Sequence, residues 1–256
     1  MAILIGLILV LVPSIGIFFV KNKNAQNWIL FSLAITSLFF HFSIYYVEYI
    51  YSGKISRLYH TLLFIVHPCH FAMWMLFVVS ALAILGKRNE RYFKWLVMSF
   101  VFVGIIGYSN NFQHPIVLDF FKKDVPVLEK IYDYYNFKSP ISHLFLTIGC
   151  VLLATKYVKL TPSCIAPVFC GLIAMALIGI IDNQIQPLQK ENPMFFFKDN
   201  IWKDSNILKG LFILIVALMI VIFGLICVFW LIYAKVKKEK FNWDWKEYFN
   251  IKSNKK

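Results

Sequence analysis

Chemistry in this chain is most densely suggested by one short string. Between His60 and Trp74 it reads His60-Thr-Leu-Leu-Phe-Ile-Val-His67-Pro68-Cys69-His70-Phe-Ala-Met-Trp74. A thiol beside imidazoles points to nucleophilic catalysis, because the thiolate is the reactive species and a histidine can take its proton. His67 and His70 are three residues apart and share a helix face, whereas Cys69 points about 100° away from His70. A neighbour in sequence is therefore poorly aimed at the sulfur, and a histidine from another segment is the better base. His143, in Ser139-Pro140-Ile-Ser142-His143, is the candidate. An isolated Pro-Cys-His string is more often packing than chemistry, so the surrounding polar residues carry weight. They are Tyr108-Ser109-Asn110-Asn111-Phe-Gln113-His114, then Asp182-Asn183-Gln184, with His41 and Glu48 earlier in the chain.

A metal site is the second chemistry these residues allow. His60, His67, His70, His114 and His143, with Asp182 or Glu48, offer imidazole and carboxylate ligands. The repeated histidine boxes of membrane di-iron oxygenases do not occur, nor does any Cys-x-x-Cys or Cys/His zinc spacing. The expectation is no metal and no cofactor.

The elements that hold these residues follow from composition. Of 256 residues, 60% are hydrophobic and 15% charged, against about 45–50% and about 25% in a soluble domain. That excess excludes a soluble enzyme, a disordered chain and a nucleic-acid-binding domain. Runs free of Lys, Arg, Asp and Glu cover 1–20, 24–47, 58–86, 95–118, 139–155, 160–181 and 210–234. A helix crosses the hydrocarbon with about 20 residues, and none of these runs alternates as a barrel strand would. The expected fold is all-α: a polytopic membrane protein with seven transmembrane helices in one bundle over 1–234, followed by a basic tail over 235–256. The fifth run is the shortest. Pro13, Pro68 and Pro167 fall inside runs, where neighbouring helices can tolerate a kink.

With the N-terminus on one face, the other face collects 16 Lys/Arg and 4 acids, against 10 and 9. The positive-inside rule makes the richer face cytoplasmic, so the N-terminus is expected outside or in a lumen and the C-terminus in the cytoplasm. The first run lacks a basic leader and reads as a retained span rather than a cleaved signal. The tail, with Trp243, Trp245, Tyr248 and Phe249 among its lysines, reads as an interfacial anchor. The five cysteines all lie in spans, which argues against a disulfide framework. A receptor reading is weak: no lysine lies between Lys209 and Lys235 to form a mid-helix Schiff base. A channel or transporter is disfavoured because the charge-free runs hold no acid or base mid-membrane.

Three strings carry a family resemblance. Leu62-Leu-Phe-Ile-Val-His67-Pro68-Cys69-His70 resembles the Leu-Leu-x-Pro-Cys-His segment of the transmembrane protein 164 family, which has YwaF-like bacterial relatives. Tyr134-Tyr135 with Ser142-His143-Leu-Phe-Leu is similar to that family's Tyr-Tyr-x-x-His approach to its fifth span. Asp182-Asn183-Gln-Ile-Gln-Pro-Leu, then Asn192-Pro193-Met-Phe-Phe, looks like its Asn-rich segment before a proline and an aromatic. The likeness covers about residues 55–235.

The resemblance implies a seven-helix phospholipid acyltransferase that needs no coenzyme A. Carried over, Cys69 is the acyl-accepting nucleophile and His143 its general base. The acyl chain passes from a phospholipid to a lysophospholipid through a thioester, in an endoplasmic reticulum or other endomembrane. His67, His70, Asn110, Asn111, His114, Asp182 and Asn183 are the expected substrate contacts. The chain departs from the family pattern in two places: the 110–139 loop is longer, and seven residues separate Tyr135 from His143. His114 therefore stays a competing base. Two other functions remain: a lipid hydrolase using the same pair, and a lipid- or ligand-binding membrane protein without chemistry.

Overall fold

The computed structural model describes residues 2–53, 68–107 and 126–185, together with positions 216, 219–224, 226–228, 231 and 235. Every regular element among the described residues is helical. In chain order they are α1 (Ala2–Phe18), α2 (Lys23–Ser52), α3 (Pro68–Ile84), α4 (Arg91–Gly107), α5 (Val127–Lys156) and α6 (Ile165–Ile185). Single 3-10 turns at Lys87–Asn89 and Pro162–Cys164 precede α4 and α6.

Local chemistry sets the ends of α2. Asn22 accepts from the amides of Asn24 (2.9 Å) and Ala25 (3.1 Å), an N-cap that satisfies two otherwise orphaned donors. Gly53 closes the helix at φ 66°, its amide donating to Tyr49 O, a left-handed position that only glycine takes without cost. Two faces of α2 are apolar in different ways. Leu30, Ala34, Ser37, His41, Tyr45 and Glu48 are buried, while Trp28, Ile35, Phe39 and Tyr46 form an outward stripe. The same outward character marks α6 at Phe169, Ile173 and Leu177, each four residues from the next.

Helix α2 packs on α3 and α5, and α4 packs on those same two helices, closing a four-helix core. Helix α6 lies on α4 and α1 on α5. Met73, Leu76, Phe93, Phe100, Leu146 and Leu153 fill that core, and Ile222 and Ile226 join it from the last segment. Small residues let the backbones approach, as helix packing within a membrane favours. A Cβ on Gly104 of α4 would run into Cys150 Sγ of α5, and one on Gly171 of α6 would run into the backbone carbonyl of Ser99 on α4. Thr147 Oγ1 donates to Gly104 O at 2.9 Å across the first of these contacts.

One end of the bundle is held by a polar clasp. Asn27 Nδ2 donates to Ala83 O (2.8 Å), and Tyr157 OH donates to Asn27 Oδ1 (2.9 Å). Arg88 sits 4.2 Å from the Tyr157 ring centre and donates to Lys156 O (3.1 Å). Burial pushes the Tyr157 phenol up to about 12, with the Arg88 guanidinium working in the opposite direction. The other end is formed by the C-terminal half of α2, the start of α3, the end of α4 and the first half of α5.

Two helices, Lys23–Ser52 and Asp133–Lys156, are long and apolar enough to cross a membrane; Ile8–Phe18, Pro68–Ile84 and Pro162–Ile178 are shorter apolar stretches. The boundaries differ from the charge-free runs in an instructive way. The fifth run, expected over 139–155, is the inner part of a 30-residue helix that starts at Val127. Lysine and aspartate are compatible with helix, so Lys130, Asp133 and Lys138 mark no boundary. Pro140 removes one donor from the ladder without ending the helix. The seventh run is described only in part, and the tail from 236 lies outside the described residues.

Candidate functional site

The site end of the bundle is built around a polar stripe on α2. Ser37, His41 and Glu48 lie on its buried face at spacings of four and seven residues, which a 3.6-residue repeat superimposes. Ser37 and His41 each meet a neighbouring helix. Ser37 Oγ donates to Ser142 O on α5 at 2.8 Å. The His41 ring lies 4.2 Å from the His70 ring of α3, centre to centre, at an interplanar angle of 58°. The His41 carbonyl accepts from Lys138 Nζ of α5 at 3.3 Å.

Lys138 is 4% exposed, a rare state for lysine unless its ammonium is engaged. Besides the His41 carbonyl it meets the Tyr135 ring, 4.8 Å from Nζ to the ring centre. Glu48 was read as part of the polar cluster and is buried; Lys138 was not so read. The charge-free search took both as boundaries of a span, whereas each sits on the inward face of a longer helix.

Cys69 is the second residue of α3, half-buried, directly after Pro68. His143 lies on α5, and the two side chains converge on Gly107, the last residue of α4. A Cβ placed on Gly107 would stand 3.8 Å from Cys69 Cβ and 3.7 Å from His143 Cδ2. The absence of a side chain there leaves a gap about one small group wide beside both residues.

The His143 ring is oriented by its own helix. Its Nδ1 lies 2.8 Å from Ser139 O, with Ser142 Oγ at 3.4 Å. A carbonyl oxygen only accepts, so Nδ1 carries the proton in that bond and Nε2 is the basic nitrogen of the neutral ring. Ser142 Oγ donates to the same Ser139 carbonyl at 2.9 Å. One ring nitrogen of His143 is thus fixed by a hydrogen bond, which orients the imidazole as a general base requires.

Of the other residues expected here, His70 joins the cluster through His41. Asp182 and Asn183 fall in the last turn of α6, with side chains outside the described residues. His60, His67, Asn110, Asn111 and His114 lie outside the described residues altogether. Sequence reasoning assigned no role to Lys138 or His41. The spacing of His41 with Ser37 and Glu48 was the available signal for the second. Among the described residues no group of three or more His, Cys, Asp or Glu is arranged to hold a metal. A shallow apolar groove of about 220 Å³ lies between α3, α4 and α6, lined by Phe71, Met75, Trp95 and Pro167 among others. It includes neither Cys69 nor His143.

Comparison with family models, with curated proteins and with solved structures finds no match to this chain.

Proposed function

We propose that the chain is a seven-span membrane protein whose Cys69 and His143 form an acyl-transfer pair. It moves a fatty acyl chain from a phospholipid to a lysophospholipid, without coenzyme A, in an endomembrane. The observation that carries this reading is that Cys69 Cβ and the ring of the oriented His143 both lie beside the gap at Gly107. The membrane setting is supported by the outward apolar stripes of α2 and α6, since soluble monomers rarely expose contiguous apolar surface of that kind. Lipid substrates fit a site that is entered from the bilayer.

In the first half-reaction His143 Nε2 takes the thiol proton and sulfur adds to the ester carbonyl of the donor. The adduct collapses, the bond from carbonyl carbon to glycerol oxygen breaks, and His143 returns the proton to that oxygen. Cys69 is left as a thioester and the first lysophospholipid departs. In the second half-reaction His143 takes the proton of an acceptor hydroxyl, whose oxygen attacks the thioester. The carbon–sulfur bond breaks and the thiol is restored.

The test is acyl transfer in membranes containing the wild type, Cys69→Ala or His143→Ala, supplied with a labelled phospholipid donor and a lysophospholipid acceptor without coenzyme A. Both substitutions are expected to abolish labelled product at equal expression. Activity untouched by Cys69→Ala would refute the thioester mechanism. Activity lost in Cys69→Ala but kept in His143→Ala would move the base elsewhere. Free fatty acid in place of the transferred product would identify a hydrolase using the same pair.

A further inference from the structure

The clasp end of the bundle gathers positive charge for which the acyl-transfer mechanism has no use. Lys21 and Lys23 stand at the turn into α2, and Lys156 and Lys159 at the end of α5 and just beyond it. Lys87, Arg88, Arg91 and Lys94 occupy the connection from α3 and the first turn of α4. Glu90 is the one acid in these three segments.

Segments far apart in sequence are drawn together here by hydrogen bonds. Gln26 Nε2 donates to Val20 O at 2.7 Å, and Arg88 Nη1 donates to Gln26 Oε1 at 3.4 Å. Arg88 Nη2 reaches the Lys156 carbonyl, and Lys156 Nζ lies 3.9 Å from the Phe18 ring centre. These partners are neutral groups, so they fix the two cations in place without cancelling their charge. Around this knot Lys21, Lys23, Lys87 and Arg91 are exposed. Lys23 and Arg91 also open α2 and α4, and neither helix has an acid in its first turn. Their charges therefore add to the positive end of each helix dipole instead of offsetting it. The tail brings no balance either, since its three acids, Glu239, Asp244 and Glu247, are outnumbered by its lysines.

The same helices set the depth of this charge. Phe19, Trp28 and Tyr92 are exposed beside it, and Ile35 and Phe39 continue the outward apolar stripe of α2 toward the other end. Exposed aromatics between a charged end and an apolar stripe mark the headgroup layer of a bilayer.

We propose that the clasp end is a docking surface for anionic phospholipid headgroups that carry more than one phosphate, drawn from the leaflet it faces. Charge complementarity selects this occupant. The fields of cations closer than a Debye length, about 8 Å at physiological salt, reinforce one another. A headgroup with one net charge pairs with one side chain. A headgroup with several phosphates spans the 21–23 and 87–91 segments, whose Gln26 and Arg88 are already in contact. Arginine adds bidentate binding of phosphate oxygens, and the knot at Arg88 holds the segments ready, so little order is lost on binding. The inference needs the membrane setting of the proposed function but not its acyl transfer.

The experiment measures binding of phosphatidylinositol bisphosphate, fluorescently labelled on its acyl chain, to the full-length protein in neutral detergent micelles by anisotropy. Unlabelled lipids compete. Phosphatidylinositol bisphosphate is expected to displace the probe at a concentration at least about tenfold below phosphatidylserine, and phosphatidylcholine not at all. Lys21→Gln with Lys23→Gln, and Lys87→Gln with Arg91→Gln, should each weaken binding about threefold or more, and the four together about tenfold or more. Raising the salt from 0.1 to 0.5 M should weaken the wild type more than the fourfold variant. Lys130→Gln, at the other end of the bundle, should bind as wild type does. If the fourfold variant fails to fold, the two double variants decide. Wild-type binding in both double variants, with loss only in Lys237→Gln/Lys238→Gln/Lys240→Gln, would place the lipid on the tail and overturn the proposal. Equal competition by phosphatidylserine would overturn the choice of a multiply phosphorylated headgroup. Free inositol trisphosphate competing as well as the lipid would overturn the bilayer as its source. A wild type that binds as expected but transfers no acyl group would refute the acyltransferase reading and leave this surface standing.

Discussion

Replacing Gly107 by alanine puts one methyl group at the point on which Cys69 and His143 converge. The new carbon would lie 3.8 Å from Cys69 Cβ and 3.7 Å from His143 Cδ2. Both are ordinary van der Waals distances, each worth about 0.1–0.2 kcal/mol of attraction, so no side chain is forced to move. Alanine also favours helix over glycine by about 0.5–1 kcal/mol, and the lower figure applies at a helix end. The folded state is therefore expected to be at least as stable as wild type. Chemistry is expected to suffer, because a reacting carbonyl must stand about 3–3.5 Å from its nucleophile and a displacement of about 1 Å costs roughly 100-fold in rate. Acyl transfer by Gly107→Ala should fall by about that factor, while the apparent melting temperature in detergent holds or rises slightly. Full transfer activity in Gly107→Ala would mean that the carbonyl does not sit in this gap. A protein that no longer folds would mean that the gap itself is not there.

Gly171→Ala is expected to behave in the opposite way, because its Cβ meets the Ser99 backbone rather than a yielding side chain. Its melting temperature should drop, corresponding to about 1–3 kcal/mol of overpacking, and an unchanged value would count against the α4–α6 contact. Tyr157 adds an alkaline dependence: its phenol ionises near 12 in the fold and near 10 when unfolded. Its stabilising contribution is complete below about pH 10 and is lost as pH rises toward 12. Thermal denaturation between pH 9 and 11.5 should decline less steeply in Tyr157→Phe than in wild type; superimposable slopes would refute the burial argument.

How much of this was legible beforehand depends on which residues carry the information. Charge-free runs act locally, so the start of α2 could be read, although the run stops at Val47, five residues before the helix ends at Ser52. Helix α5 could not, because a search for charge-free windows stops at Lys138 whatever the backbone does there. The same rule hid Lys138 itself. The Tyr135 ring that meets its ammonium comes from its own helix three residues earlier, but the His41 carbonyl comes from α2, which is tertiary information. Cys69 and His143 were singled out by residue type and string likeness. That both lie beside a glycine of a third helix could not be read from either string. His41 was visible as a member of a stripe, but its tilted contact with the His70 ring depends on how α2 and α3 pack.

The two tight glycine contacts on α4 restrict how this molecule can move. With Gly104 pressed against Cys150 and Ser99 against Gly171, sliding α4 lengthwise past either neighbour would drive a side chain into backbone. Helices α4, α5 and α6 therefore translate as a single block. Gly107 and His143 ride on that block, whereas Cys69 rides on α3. Any separation of Cys69 from His143 must come from α3 swinging away from a wall that stays still.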